Sequence, residues 1–183
     1  SQTINSFLAL KSDLWLTSCA LYAAEMTDQF TADATENHAL FQLLLNTLER
    51  FSRDSNNELT LHYFQLHLLE AVGYRPQFQE CVVCRQPLKP VINAFSSSGG
   101  GMLCGDCHLS QNPVYPVSSD ALKVLRWLQD SDFNTASRLK MEPELSHELE
   151  MVSRHYIKYL LEREVKSVTW LDSLREQLSS GKY

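Results

Sequence analysis

Two cysteine pairs carry the most specific chemistry in this chain. Cys81-Val-Val-Cys84 and Cys104-Gly-Asp-Cys107 together read C-x2-C-x19-C-x2-C. Two residues between paired thiolates let the backbone bend until both sulfurs reach one ion. Two such pairs close a tetrahedral shell at roughly 2.3 Å and leave no position for water. The pattern therefore predicts a structural Zn2+ site with Cys81, Cys84, Cys104 and Cys107 as ligands, rather than a catalytic one. Cys104-Gly-Asp-Cys107-His108 is also the attachment pattern of a c-type haem, but that reading leaves Cys81 and Cys84 unexplained and requires export. A redox dithiol expects a βαβ setting that the chain lacks. A zinc deaminase needs H-x-E, and the nearest approach, His67-Leu-Leu-Glu70, has one residue too many. His108 reads as a surface residue beside the second pair, with the replacement of one cysteine ligand as its alternative role. Cys19 falls on an apolar stripe and reads as a small core residue.

Nothing else in the chain has the pattern of a catalytic centre. The glycine run "SSSGGGM" lacks the lysine and the helix start of a phosphate-binding loop. No serine, histidine and carboxylate stand in a nucleophilic arrangement, so the expectation is a protein that is not an enzyme.

The 183 residues suffice for one ordinary domain, and the 44% hydrophobic and 21% charged shares are those of a globular chain. A net charge of -6 argues against a self-sufficient DNA binder, since phosphate neutralisation supplies most of such affinity. A local basic patch remains compatible with it. No apolar run approaches the roughly 20 residues that cross a bilayer, and the first residues lack a signal-peptide pattern. The expected location is the cytoplasm, where thiols stay reduced and clustered cysteines mean metal or catalysis.

The elements that must position the cysteines are mostly helical. Trp15, Cys19, Tyr22, Met26 and Phe30 recur at spacings of three and four, one helix face. Asp33-Ala-Thr-Glu36 has the form of a capping box. It opens a second stripe, Leu40, Leu44, Leu48 and Phe51. A third runs through Leu61, Phe64, Leu68 and Val72 and stops at Gly73 and Pro76. Residues 77–117 hold four of the five cysteines and no helical stripe. Short apolar pieces, Val91 to Phe95 and Met102-Leu103, read as small strands in a compact insertion held by something other than a core. Helices return after Ser118, with Leu122, Leu125 and Leu128. Pro143 then opens a stripe of Leu145, Leu149, Val152, Tyr156 and Leu160. A last helix carries Trp170, Leu171, Leu174 and Leu178. The fold class expected is mainly α: a helical domain over 1–76 and 118–183, interrupted by a four-cysteine zinc finger with short β-strands over 77–117. The aromatic residues on these stripes, Trp170 included, are expected to pack in the core.

With these residues in view, the chain resembles the RecO family of bacterial recombination mediators, in their C-terminal helical and zinc-finger region. The resemblance is carried by "LKSDLWLTSCALYAAEMTDQF", "FQLHLLEAVGYRPQFQECVVC", "FSSSGGGMLCGDC", "YPVSSDALKVLRWL" and "RHYIKYLLEREVKSVTWLDSL". Their order and spacing agree from about Lys11 to Leu174. The family's proteins begin with an OB-fold domain, and no part of this chain reads as one. The resemblance implies a role in DNA repair and homologous recombination: binding single- and double-stranded DNA, largely through that other domain, and annealing strands. It also implies work with RecR to load the recombinase onto strands coated by single-strand-binding protein. The alternative is a stand-alone cytoplasmic zinc-ribbon interaction module without a DNA role.

For partner or DNA contact, the late helix offers Arg154, Lys158 and Lys166, with His155 and Arg163 nearby. These form a candidate basic rim for the acidic, hydrophobic-ended tail of single-strand-binding protein or for DNA phosphates. A plain solvated helix face explains the same residues. Arg85 and Lys89 beside the first cysteine pair read as offsetting the charge of a four-thiolate zinc centre.

Overall fold

The computed structural model describes residues 7–31, 37–53, 56–162 and 165–179. Eight α-helices and three short strands run in the order α1 (Leu8–Lys11), α2 (Leu14–Phe30), α3 (His38–Arg53), α4 (Asn57–Ala71), β1 (Asn93–Ser96), β2 (Gly101–Leu103), β3 (Val114–Val117), α5 (Ser119–Asp130), α6 (Phe133–Ala136), α7 (Pro143–Leu161) and α8 (Lys166–Ser179) among the described residues. The mainly helical architecture with a small four-cysteine, short-stranded module is the one expected from the stripes.

Side-chain caps set most helix starts. Asp13 accepts from the Leu16 N–H at 3.0 Å, Asn56 from Leu59 at 3.2 Å and Ser118 from Ala121 at 3.1 Å. Each satisfies an amide that has no partner within its helix. The expected capping box at 33–36 lies outside the described residues. Asn37 caps α3, accepting from the Leu40 N–H at 2.9 Å. Pro143 stands in the first turn of α7, as expected.

Helix α4 is the axis of the core. Every residue from Leu59 to Leu69 except His67 is buried, so the single stripe read in the sequence is in fact a helix buried on all sides. Its polar members are bonded inside the bundle. The Thr60 hydroxyl donates to the Asn56 carbonyl at 3.1 Å, and Gln65 Nε2 donates to the Tyr22 hydroxyl at 2.7 Å. His62 Nε2 lies 2.9 Å from Ser146 Oγ, which donates to Glu58 at 2.7 Å. Burial pushes the His62 imidazole down to about 4, so it is neutral. Helix α4 stops at Gly73, whose φ of 85° continues the chain in a left-handed turn.

The strands form an antiparallel sheet in the order β2-β1-β3, pairing Phe95 with Met102 on one side and with Tyr115 on the other. Strand β3 was not foreseen; its Pro116 is tolerated because β3 is an edge. The idea that this segment has no share in an apolar core does not hold. Phe78, Phe95, Met102 and Val117 are fully buried members of the main core cluster. Phe95 packs edge-on against Tyr156 of α7 with centroids 5.4 Å apart, and its ring is 6.2 Å from that of Phe78. From α5, Arg126 Nε donates to the Phe78 carbonyl at 2.8 Å and Gln129 Nε2 to the Pro76 carbonyl at 3.0 Å. The module is thus anchored to α5 and α7 before the cysteines are considered.

Candidate metal centre and the surfaces around it

The two cysteine pairs are built alike. In the first, the Arg85 N–H donates to the Cys81 carbonyl at 2.9 Å, and Arg85 takes a φ of 61°, a left-handed turn rarely used by residues other than glycine. In the second, the Cys107 and His108 N–H groups both donate to the Cys104 carbonyl at 3.0 Å. Each tight turn directs its two sulfurs to the same side. A close backbone approach brings the pairs face to face. Gln77 N–H donates to the Gly100 carbonyl at 3.0 Å, Met102 N–H to Gln77 at 2.9 Å, and Val82 N–H to Met102 at 2.9 Å. Gly101 makes this approach possible, since a Cβ there would lie 2.6 Å from the Gln77 oxygen.

The four Sγ atoms of Cys81, Cys84, Cys104 and Cys107 all lie within 4.8 Å of one another, and Cys84 and Cys104 are 3.8 Å apart. A tetrahedron of sulfurs about 2.3 Å from its centre has an edge of about 3.8 Å. The donor set and its spacing fit a thiolate-bound dication. Cys81 is buried with Leu103 and Ala94 in a small apolar cluster of its own, whereas Cys84 is exposed.

Three of these thiols are shifted by their crowding and by nearby backbone amides. Burial pushes the Cys81 thiol up, but the backbone amides of Cys104, Cys84 and Val83 outweigh it and bring it down to about 6. Hydrogen bonding to Cys104, with some burial, pushes the Cys107 thiol up to about 12. The Gln86 amide pulls Cys84 down, yet burial and the neighbouring sulfurs leave it raised. Four sulfurs this close do not ionise together unless a cation offsets their repulsion.

His108 is not part of the cluster, which comprises the four cysteines alone among the described residues. Its Nδ1 lies 2.6 Å from the Gly105 carbonyl. Cys19 is fully buried and burial pushes its thiol up to about 12, in line with a core role. His67 and Glu70, the nearest approach to a deaminase pair, lie 3.6 Å apart but away from the cysteines: His67 Nε2 is 3.1 Å from the Leu128 carbonyl, and Glu70 also pairs with Arg75. Arg85 pairs with Glu80 at 3.1 Å.

The three basic residues of the late helices go to different places. Arg154 Nη2 reaches both carboxylate oxygens of Asp172 on α8, at 2.6 and 2.8 Å, and Glu150 at 3.4 Å. Arg175 completes this network, with Nε 3.3 Å from Glu58 and Nη1 paired to Glu150. Arg154 therefore helps hold α8 against α7. Lys158, one turn on, lines a surface groove of about 690 Å³ between α7 and β3, together with Tyr115, His155, Tyr159 and Ser97. Lys166 is the first residue of α8, and Arg163 lies outside the described residues. Tyr115 stacks on His155 with centroids 3.6 Å apart and 24° between the planes. Tyr115 and Tyr159 were missed in the sequence; an alternation Val114, Tyr115, Pro116, Val117 was the available signal for a strand facing α7.

These features define a class: a helical protein that carries a four-cysteine module able to hold a metal ion, anchored on two of its helices. Comparison with known proteins narrows it. The family model described as "Recombination protein O C terminal" matches residues 11–169. A DNA repair protein RecO from Dehalococcoides mccartyi is 44% identical over 174 residues, covering 95% of this chain and 68% of the relative. Its namesakes from Roseiflexus sp. and Desulforamulus reducens are 37% and 30% identical, covering 99% and 92% of this chain and 64% and 65% of those proteins. The chain belongs to the RecO family of DNA repair proteins. No described helix is long and apolar enough to cross a membrane.

Proposed function

We propose that this chain is the partner-binding part of a non-enzymatic recombination mediator in the bacterial cytoplasm, associated with the nucleoid during repair. The observation that carries this reading is the family match over residues 11–169. A helical scaffold, 1–76 with 118–183, holds a zinc-finger insertion, 77–117. Zn2+ bound by Cys81, Cys84, Cys104 and Cys107 supplies the cross-link that fixes the two turns at the module's tip. The chain's own residues do the rest: Gly101 admits the Gln77–Val82 segment, and Phe95 and Tyr156 fix the module on α7.

In this reading the protein works with RecR and with the tail of single-strand-binding protein, and it supports strand annealing and recombinase loading. Lys158 is the basic residue best placed for the tail, because it borders a groove with tyrosine rings for the tail's apolar end. Arg154 acts behind it, keeping α7 and α8 together, and Lys166 opens the neighbouring helix. With a net charge of -6, DNA contact by this region alone is local and salt-sensitive.

The test is binding of the chain to a labelled tail peptide and to single-stranded DNA across a salt series. Tail binding that weakens about fivefold or more in Lys158→Glu supports the reading, a loss of about 1 kcal/mol. Absence of binding to both ligands, at low salt and with the metal in place, contradicts it.

A further inference from the structure

We propose that Cys84 and Cys104 form a peroxide-sensitive pair, whose oxidation to a disulfide joins the two turns of the module and releases its metal. The proposal rests on the zinc reading above. It starts from an asymmetry within the cluster. Cys84 is exposed at the tip, Cys104 and Cys107 are partly covered, and Cys81 is fully buried. A hydroperoxide arriving from solvent therefore meets Cys84 first. The sulfur of Cys104 lies 3.8 Å from that of Cys84, across the cluster from it. A disulfide requires about 2.05 Å, so closure brings the two sulfurs together by under about 2 Å.

The chemistry balances with a hydroperoxide as the oxidant. The Cys84 thiolate attacks one peroxide oxygen and the O–O bond breaks, giving a sulfenic acid and hydroxide. The Cys104 thiolate then attacks the Cys84 sulfur, the S–S bond forms, and a second hydroxide leaves. Two protons convert the hydroxides to water; the two sulfurs are oxidised and the peroxide oxygens reduced. Only Cys81 and Cys107 then remain as thiolates, too few for a closed tetrahedral shell.

The fold tolerates this exchange at the tip. Phe78, Phe95, Met102 and Val117 pack in the main core, separate from the small cluster that holds Cys81. Cys19, the remaining cysteine, is buried away from the cluster, so products are assigned without ambiguity.

The experiment treats the zinc-loaded chain with graded hydrogen peroxide. Zinc release is followed with a chromogenic chelator, and disulfides are mapped by alkylation and peptide mass spectrometry. Metal content is measured before treatment. The expected result is one Cys84–Cys104 disulfide per zinc released, reversed by dithiothreitol and added zinc, with the same outcome in Cys19→Ala. The proposal is overturned if zinc is retained while thiols oxidise, or if the first disulfide forms within one turn or between chains. It is also overturned if Cys84 goes directly to a sulfinic or sulfonic acid. A chain without zinc before treatment refutes the zinc reading itself, and that failure is seen before any peroxide is added.

Discussion

Gly101 is the position where a single methyl group should do most damage to the module. A Cβ there would lie 2.6 Å from the Gln77 carbonyl oxygen, 2.7 Å from Val82 Cγ1 and 2.8 Å from Gln77 Cβ. Ordinary contact begins at 3.4 Å, so the Gln77–Val82 segment must retreat by about 0.8 Å. The retreat strains the Gln77–Gly100, Met102–Gln77 and Val82–Met102 hydrogen bonds together. Overpacking costs about 1–3 kcal/mol, and each weakened bond up to about 1 kcal/mol more. The lower entropy of the unfolded alanine chain returns about 0.4–1 kcal/mol. The net expectation for Gly101→Ala is a loss of about 2–4 kcal/mol, on the order of 1 M in a urea midpoint. Zinc affinity should fall with it, because the displaced segment leads directly into Cys81. Gly105→Ala is the internal control. It stands between two proposed ligands, yet a Cβ there meets nothing within 4 Å, so its stability should change by no more than about 0.5 kcal/mol. Equal stability of the two variants under urea, with equal zinc affinity, refutes the claim that this backbone approach builds the site.

Three further outcomes follow from packing and charge. Phe64→Ala, at the centre of α4, should cost about 3–5 kcal/mol, while Trp170→Ala, 63% exposed on α8, should cost less than about 1 kcal/mol in the same denaturation assay. His62 is neutral in the fold, pushed by burial to about 4 from 6.5, so its contribution is complete above pH 6.5 and is lost as pH falls toward 4. That loss amounts to about 3 kcal/mol; stability measured from pH 7.5 to 4.5 should fall less steeply in His62→Gln, and identical slopes would exclude it. Arg154→Ala breaks the paired contact with Asp172 and should cost about 1 kcal/mol, discounted for its partial exposure, without changing tail affinity. Tail affinity that drops in Arg154→Ala and not in Lys158→Glu would reverse the roles assigned to the two residues.

The part of this molecule that the sequence disclosed is the part governed by local rules. Helix α2 and its buried Cys19, Tyr22 and Met26 follow from spacing, as do the Ser118 cap and the stop at Gly73. The four cysteines were legible because a thiolate pair at x2 spacing has few other uses. What failed to show depends on tertiary neighbours. Helix α4 reads as one stripe because Thr60, His62 and Gln65 are polar, and only partners such as Tyr22 and Ser146 make their burial favourable. Trp170 sits on an apparent apolar stripe but is exposed, since its neighbours Leu171 and Leu174 take the contacts with the core. The anchoring of the module by Phe78 and Phe95 was hidden because isolated aromatics in a segment without periodicity carry no directional signal. Arg154 and Lys158, four residues apart, read as one basic rim. The acids of α8 and α7 capture the first, and the β3 groove receives the second.

In the proposed metal centre, four thiolates close around one structural zinc ion at the tip of a module anchored to α5 and α7. X-ray absorption at the zinc edge, together with metal content of the purified chain, tests it most directly. The expected result is one zinc per chain with four sulfur neighbours at about 2.3 Å and no nitrogen or oxygen in the shell. A chain that folds and melts identically with and without chelator, or a shell containing His108 nitrogen or water, contradicts it.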